Sequence, residues 1–313
     1  MNKGKAGVFA FIAALLAVAV LSGCGTSREK FPDDKEPANE DFTGLPEIPV
    51  ASAPGTVVAE NKKAVVDYSN SRDGYIMVRY NEATRKQVRT LITVPDGTQY
   101  IYRLVPGGDY EILPLSGGDG EYAVEIYEEA GNQLYALVLT STINVAIDNE
   151  FAPFLRPNQY VNYSRSSAVV RKAAELTEGI DGQMDKITAV YNYIITNITY
   201  DTQRAWTVES GYIPDVDEVL KSGKGICFDY AAIMTAMLRS QNIPTRMILG
   251  YTGSDYHAWI SVYTEETGWV DNMIFFDGED WRIMDPTFAA GEQNTDIMEY
   301  ISDSRNYNAL YQY

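Results

Sequence analysis

Gly223-Lys-Gly-Ile-Cys-Phe-Asp-Tyr-Ala-Ala-Ile-Met-Thr-Ala-Met-Leu-Arg239 reads as a glycine loop running into a helix. Tyr230, Ala231, Met234, Met237 and Leu238 recur at the three-to-four-residue spacing of a helix with an apolar face. The helix is expected to stop near Asn242, because Pro244 cannot continue it and Asn tolerates a left-handed stop. Cys227 then sits at or near the helix N-terminus, where unpaired backbone N–H groups and the positive end of the dipole favour a thiolate. Gly225 removes a side chain where a substrate carbonyl would need to approach.

Downstream the period changes to two. Thr245–Tyr251 reads as a strand, Gly253-Ser-Asp255 as a turn, and His257-Ala-Trp-Ile-Ser-Val-Tyr263 as the next strand. Alternation puts His257, Trp259, Ser261 and Tyr263 on one face. Trp269-Val270 and Trp281-Arg-Ile-Met-Asp285 look like further strands, with Pro286 holding Asp285 extended. A thiol, an imidazole and a carboxylate are the parts of a nucleophile–base–orienter set. Cys227 would attack a carbonyl, His257 would take the thiol proton and pass it to the leaving amine, and Asp285 would orient the imidazole. The Cys227 N–H is an expected oxyanion donor, with Tyr200, Gln203 and Trp206 as candidates for the second. Candidate substrate contacts are Trp206, Gly225, Trp259 and Trp269; Trp259 also reads as a support, like Tyr230, Arg239 and Arg246.

Gly225-x-Cys227-x-Asp229-Tyr230-Ala231, Asn242-Ile-Pro-Thr-Arg246, Gly250-Tyr251, His257-Ala-Trp259 and Asp285-Pro-Thr287 resemble the transglutaminase-like superfamily, in the family's order, over about residues 165–290. The resemblance implies a papain-like α+β fold, with the cysteine helix packed on an antiparallel sheet and Cys227, His257 and Asp285 at the catalytic positions. Two departures are visible: Asn242 where Gly often precedes Ile-Pro, and Ser261 where an acid often follows His-Ala-Trp. Family members include cross-linkers, peptidases and amide hydrolases, so the resemblance leaves the substrate open.

Working outward, Ser166 or Ser167 is expected to cap a helix reaching about Leu176. Ile187, Val190, Tyr191, Ile194 and Ile195 mark the apolar face of a second. Residues 56–150 alternate like short strands between Gly- and Asp-rich turns, the pattern of a β-sandwich. Residues 151–313 are read as the catalytic domain. Residues 24–55 are rich in Pro, Gly, Ser and acids and read as a solvated tether. At the N-terminus, Lys3 and Lys5 precede a 13-residue apolar run, Val8–Val20, too short for an ordinary membrane-spanning helix, which needs about 20. Leu21-Ser-Gly-Cys24 follows and resembles the lipobox of bacterial lipoproteins. Residues 1–23 are therefore expected to be a signal peptide, Cys24 the acylated residue, and the protein lipid-anchored on the extracytoplasmic face of the cell membrane.

Composition narrows the partners. The 313 residues carry a net charge of −18, a poor match to phosphate, so no nucleic-acid partner is expected. His257 is the sole histidine and Cys24 and Cys227 the two cysteines, too few for a Cys/His zinc site. Neither metal nor cofactor is expected. The leading reading is a surface cysteine enzyme acting on peptide or amide carbonyls of protein or peptide substrates through a thioester, a peptidase or amidase. A cross-linking transglutaminase and a non-catalytic surface binding or assembly module of the same fold are the alternatives.

Overall fold

The alternation between residues 56 and 150 closes into two four-stranded antiparallel sheets in a computed structural model that describes residues 44–270 and 307–313 and the backbone of 274–276 and 281–283. The strands are β1 (Val58–Glu60), β2 (Ala64–Asp67), β3 (Tyr75–Tyr80), β4 (Val88–Thr93), β5 (Gln99–Leu104), β6 (Glu111–Pro114), β7 (Gly120–Gly131) and β8 (Leu134–Val145). One sheet has the order β1-β2-β3-β6 and the other β5-β4-β7-β8. Val88, Thr90 and Ile92 of β4 face inward while their neighbours face out, the pleat of a half-buried strand. Val66, Ile76, Val78 and Leu113 from one sheet join Val88, Ile92, Tyr102 and Val124 from the other in one core.

One charge is set into this core's rim. Glu128 of β7 is buried and accepts hydrogen bonds from Lys86 Nζ (2.5 Å), Lys63 Nζ (2.9 Å) and the Tyr80 hydroxyl. Lys86, Tyr80 and Lys63, in that order, hold the Glu128 carboxyl down at about 2. A carboxylate depressed on folding contributes stability that is present above its ordinary range and lost as pH falls through the folded value. Glu128→Gln is therefore expected to lower the melting temperature at neutral pH, with the gap to wild type closing between pH about 4.5 and about 2. A gap that persists unchanged at the acid end would show that the loss is packing rather than charge.

Residues 151–163 cross from the sandwich to the second half and seal an edge. The Tyr160 hydroxyl donates to the Ile101 carbonyl at 3.1 Å and Gln159 Nε2 to the Arg103 carbonyl at 2.7 Å, covering carbonyls along β5, a strand paired on one side. The chain passes Pro153 against Gly74, where a Cβ would meet the proline ring at 2.7 Å, and Gly74 is left-handed (φ 80°), so glycine is required there.

The second half is mixed helix and sheet. Helices α1 (Ala168–Thr177), α2 (Gln183–Asn197), α3 (Thr202–Thr207), α4 (Val216–Ser222) and α5 (Cys227–Ser240) surround or form its core. Two-residue strands β9 (Thr199–Tyr200) and β10 (Lys224–Gly225) pair in parallel just before α5. An antiparallel sheet of order β13-β12-β11-β16 joins β11 (Thr245–Thr252), β12 (Asp255–Thr264), β13 (Gly268–Val270) and β16 (Tyr307–Gln312), while β14 (Ile274–Phe276) pairs with β15 (Trp281–Ile283). α5 stops as expected, with Asn242 left-handed at φ 60°. It departs from expectation in being buried all round, every residue from Asp229 to Ser240, because α1, α2, α4, β11 and β12 all pack on it.

The last residues complete the sheet of β11 and β12. β16 adds to the edge of β11, and Tyr313 exchanges hydrogen bonds with Met247 (2.8 and 3.0 Å). Its ring packs edge-on against Tyr100 and Tyr102 of the sandwich at 5.5 and 5.9 Å. Arg239, buried in α5, ties the same region together by donating to the carbonyl oxygens of Thr245, Arg156 and Tyr313. Burial pulls its guanidinium down to about 10.

Candidate active site

The start of α5 is built from backbone. Tyr230 N–H donates to the Ile226 carbonyl at 3.0 Å, making Ile226 the cap and Cys227 the first helical residue. Ile has no side-chain acceptor, so the free donors at this end cannot be satisfied from the cap residue. Among the described residues, neither the Cys227 nor the Phe228 N–H donates to any group. The Cys227 side chain is half-buried.

What holds the turn is Asp229. Its carboxylate is fully buried and accepts from Ile226 N–H at 2.8 Å and the Tyr212 hydroxyl at 2.6 Å. Arg204 Nη1 lies 3.6 Å from the same carboxylate and 3.1 Å from the Tyr212 hydroxyl. Burial pushes the Asp229 carboxyl up; Tyr212, Ile226 N–H and Arg204 pull it back. Burial first, and then the carboxylate it donates to, push the Tyr212 phenol up. The brace thus joins α3, the loop before α4 and α5 at the residue preceding Cys227. Asp229 falls within the local motif around Cys227, whereas Tyr212 and Arg204 lie 17 and 25 positions upstream of it without local pattern.

Gly225 belongs to this packing. A Cβ there would stand 2.6 Å from the Asp229 Cβ, so the missing side chain makes room for the brace. The Gly225 carbonyl accepts from Asp201 N–H at 2.9 Å, and Asp201 caps α3 through Arg204 N–H at 2.9 Å. α3 therefore starts beside the cysteine loop and carries Trp206, 52% exposed.

His257 lies near the start of β12, opposite Gly250 of β11, and is 7% exposed. It shares a strand face with Trp259, whose ring stacks on the imidazole (centroids 6.3 Å, 23°). Trp259 is itself buried at 2% exposure and leans over Gly250, where a Cβ would meet the indole at 2.8 Å and the Asn308 carbonyl at 2.1 Å. Trp259 accordingly braces the histidine instead of presenting a substrate surface. α5 packs on β12. Burial first, then Tyr311, Tyr251 and Cys227, push the phenol of Tyr256, next to His257, up to about 12.

Trp269 is not at this end. It pairs with Tyr263, six residues along β12 from His257, or roughly 20 Å at strand rise. There it lies under the Arg246 guanidinium (3.6 Å) and edge-on to Phe154 (5.4 Å), an aromatic support. Asp285 and Cys24 lie outside the described residues. Among the described residues no cluster of His, Cys, Asp and Glu suited to a metal ion occurs, and no helix is long and apolar enough to cross a membrane.

A buried helix that begins at a half-buried cysteine and packs on an antiparallel sheet carrying the histidine defines a papain-like α+β domain. Residues 170–286 match the profile of the transglutaminase-like superfamily, and over that stretch the chain carries a transglutaminase-like domain. Among curated proteins it is similar to the uncharacterized protein YebA of Bacillus subtilis, 33% identical over 186 residues, 52% of this chain and 25% of the relative. It is also similar to the UPF0252 protein MJ1282 of Methanocaldococcus jannaschii, 30% identical over 115 residues, 32% of this chain and 33% of the relative. The chain thus spans a quarter to a third of the curated relatives it matches. A solved structure from Cytophaga hutchinsonii, described as a candidate cysteine protease, aligns with 16% identity and a TM-score of 0.38, covering 75% of this chain and 73% of its own.

Proposed function

We propose that the chain is a surface-anchored cysteine acyl-transfer enzyme, a peptidase or amidase that acts on peptide or amide carbonyls through a thioester. The observation that carries this reading is Cys227 at the first position of α5, half-buried, with its own N–H undirected among the described residues. In the proposed cycle the Cys227 sulfur bonds to the carbonyl carbon while the Cys227 N–H faces the developing oxyanion. His257 takes the thiol proton and delivers it to the departing amine, leaving a thioester, which water then hydrolyses to the acid and free thiol. Contact between thiol and imidazole, and the orienting role of Asp285, are parts of the proposal.

Hydrolysis is favoured over cross-linking because a cross-linker must keep water from the thioester while admitting an amine. The Cys227 side chain is only half-buried, and Trp206 on the adjoining α3 is open to solvent. With a glutamine-containing peptide and a primary amine at millimolar concentration, the main product is expected to be free acid or cleaved peptide. Near-quantitative amine incorporation would make the enzyme a transferase.

Anchoring through Cys24 belongs to the same proposal and rests on Leu21-Ser-Gly-Cys24 after the short apolar run. Cys24→Ser is expected to abolish fatty-acid labelling and release the protein from the membrane fraction. A wild type that carries no detectable lipid yet stays in the membrane fraction would sink the anchor.

A further inference from the structure

We propose that Arg103, on β5 of the sandwich, reads a carboxylate of the substrate at the Cys227 site; the inference rests on Cys227 being the nucleophile. Phe228, next to Cys227, is half-buried between two aromatic rings, Tyr160 at 5.7 Å and Tyr212 at 6.4 Å. Arg103 reaches the segments that carry both rings. Its guanidinium sits on the backbone of Gly211, beside Tyr212, where a Cβ would meet Cζ at 2.1 Å and Nε at 2.2 Å. On the other side its charge acts on the Tyr160 phenol. The sandwich thus supplies a cationic rim to the residue adjoining the nucleophile.

The charge is uncommitted. The Arg103 guanidinium makes no hydrogen bond or ion pair with any described residue, although the chain carries 43 acids against 25 bases. Arg204, on the same side of the site, is by contrast engaged with Asp201, Asp229 and Tyr212. Arg103 is half-buried, so a partner's charge there is screened less than on open surface. Arg89 is its cross-strand neighbour on β4, adding a second positive charge to the same sheet face. A guanidinium so placed is a two-pronged donor matched to a carboxylate. The carboxylate could be the C-terminus of a peptide or an acidic side chain near the scissile bond.

The alternative role is a strut between β5 and the loop before α4, and the test separates the two. Full-length wild type, Arg103→Met and Arg103→Lys are given three matched peptides: a free C-terminal acid, its C-terminal amide, and the amide with Glu in place of Gln near the scissile bond. Wild type is expected to prefer one carboxylate-bearing peptide over the neutral amide by about ten-fold in kcat/KM, through KM. Arg103→Met should erase the preference and leave the neutral amide unchanged, and Arg103→Lys should keep part of it. The acid and the Glu peptide tell which carboxylate is read. Equal rates for all peptides in wild type, or an Arg103→Met variant slowed alike on every peptide, overturns the proposal. Should no peptide be cleaved, the reaction assigned to the site has failed separately, and protection of Cys227 from iodoacetamide by the same peptides reports occupancy without turnover. Protection by an acid but not the amide, lost in Arg103→Met, supports the proposal, and equal protection overturns it.

Discussion

Replacing Cys227 by Ala is expected to abolish acyl transfer, a fall on the order of 10⁴-fold or more in kcat/KM, with the melting temperature nearly unchanged. The side chain is half-buried, so Ala removes a sulfur and leaves the backbone of α5 intact. His257→Ala should be nearly as severe, because it removes the proton carrier, while Asp285→Ala should hurt less, because the Cys–His pair keeps its own attraction. Alkylation provides the independent check. At about pH 6, where an ordinary thiol is protonated, iodoacetamide should modify Cys227 faster than free cysteine, and His257→Ala should remove the advantage. Substantial turnover by Cys227→Ala would rule out the mechanism, whatever the other variants do.

The second large effect is expected at Asp229, which touches no substrate. Asp229→Ala leaves Ile226 N–H and the Tyr212 hydroxyl without their acceptor inside the site, while Arg204 keeps Asp201 and the Tyr212 hydroxyl. Each buried donor so stranded costs about 1–3 kcal/mol, so a loss on the order of 3 kcal/mol is expected, read as a lowered melting temperature and urea midpoint. The function of the site should fall further than its stability. Ile226 N–H is what Asp229 holds, and Cys227 follows it; a turn that relaxes by even a fraction of an ångström moves both the sulfur and its N–H. Measured well below the variant's melting temperature, kcat should drop with KM little altered. Unchanged melting temperature together with unchanged Cys227 alkylation would remove Asp229 from any bracing role.

Much of the fold was legible from local pattern. The period of 3.6 after Cys227 and the stop at Asn242 located α5 to within a residue or two, because a helix closes its hydrogen bonds within four positions. The period of two after Thr245 located β11 and β12 for the comparable reason that alternation is written into consecutive residues. β16 carries no clear local signal although Tyr307, Ala309, Tyr311 and Tyr313 alternate: the run is short, Leu310 breaks the polar face between them, and 54 residues (253–306) separate it from β11, the strand it pairs with. The brief parallel pairing of β9 with β10 carries no sequence signal, since two residues cannot show a period.

The sequence by itself singled out the candidate residues at the head of α5. One histidine, one cysteine beyond residue 24 and a glycine loop running into an apolar helix confine the candidate nucleophile and base to Cys227 and His257. What the tertiary structure decided is what surrounds them. It turned Gly225 from a substrate approach into room for Asp229, and of the two roles open to Trp259, substrate contact and support, it placed the ring as a brace beside His257. It moved Trp269 to the far end of the sheet and brought Tyr212, Arg204 and the sandwich residue Arg103 around the cysteine loop. These placements depend on which distant segments meet once the core closes. That outcome is governed by burial and packing summed over the whole unit, and no spacing of residues along the chain contains it.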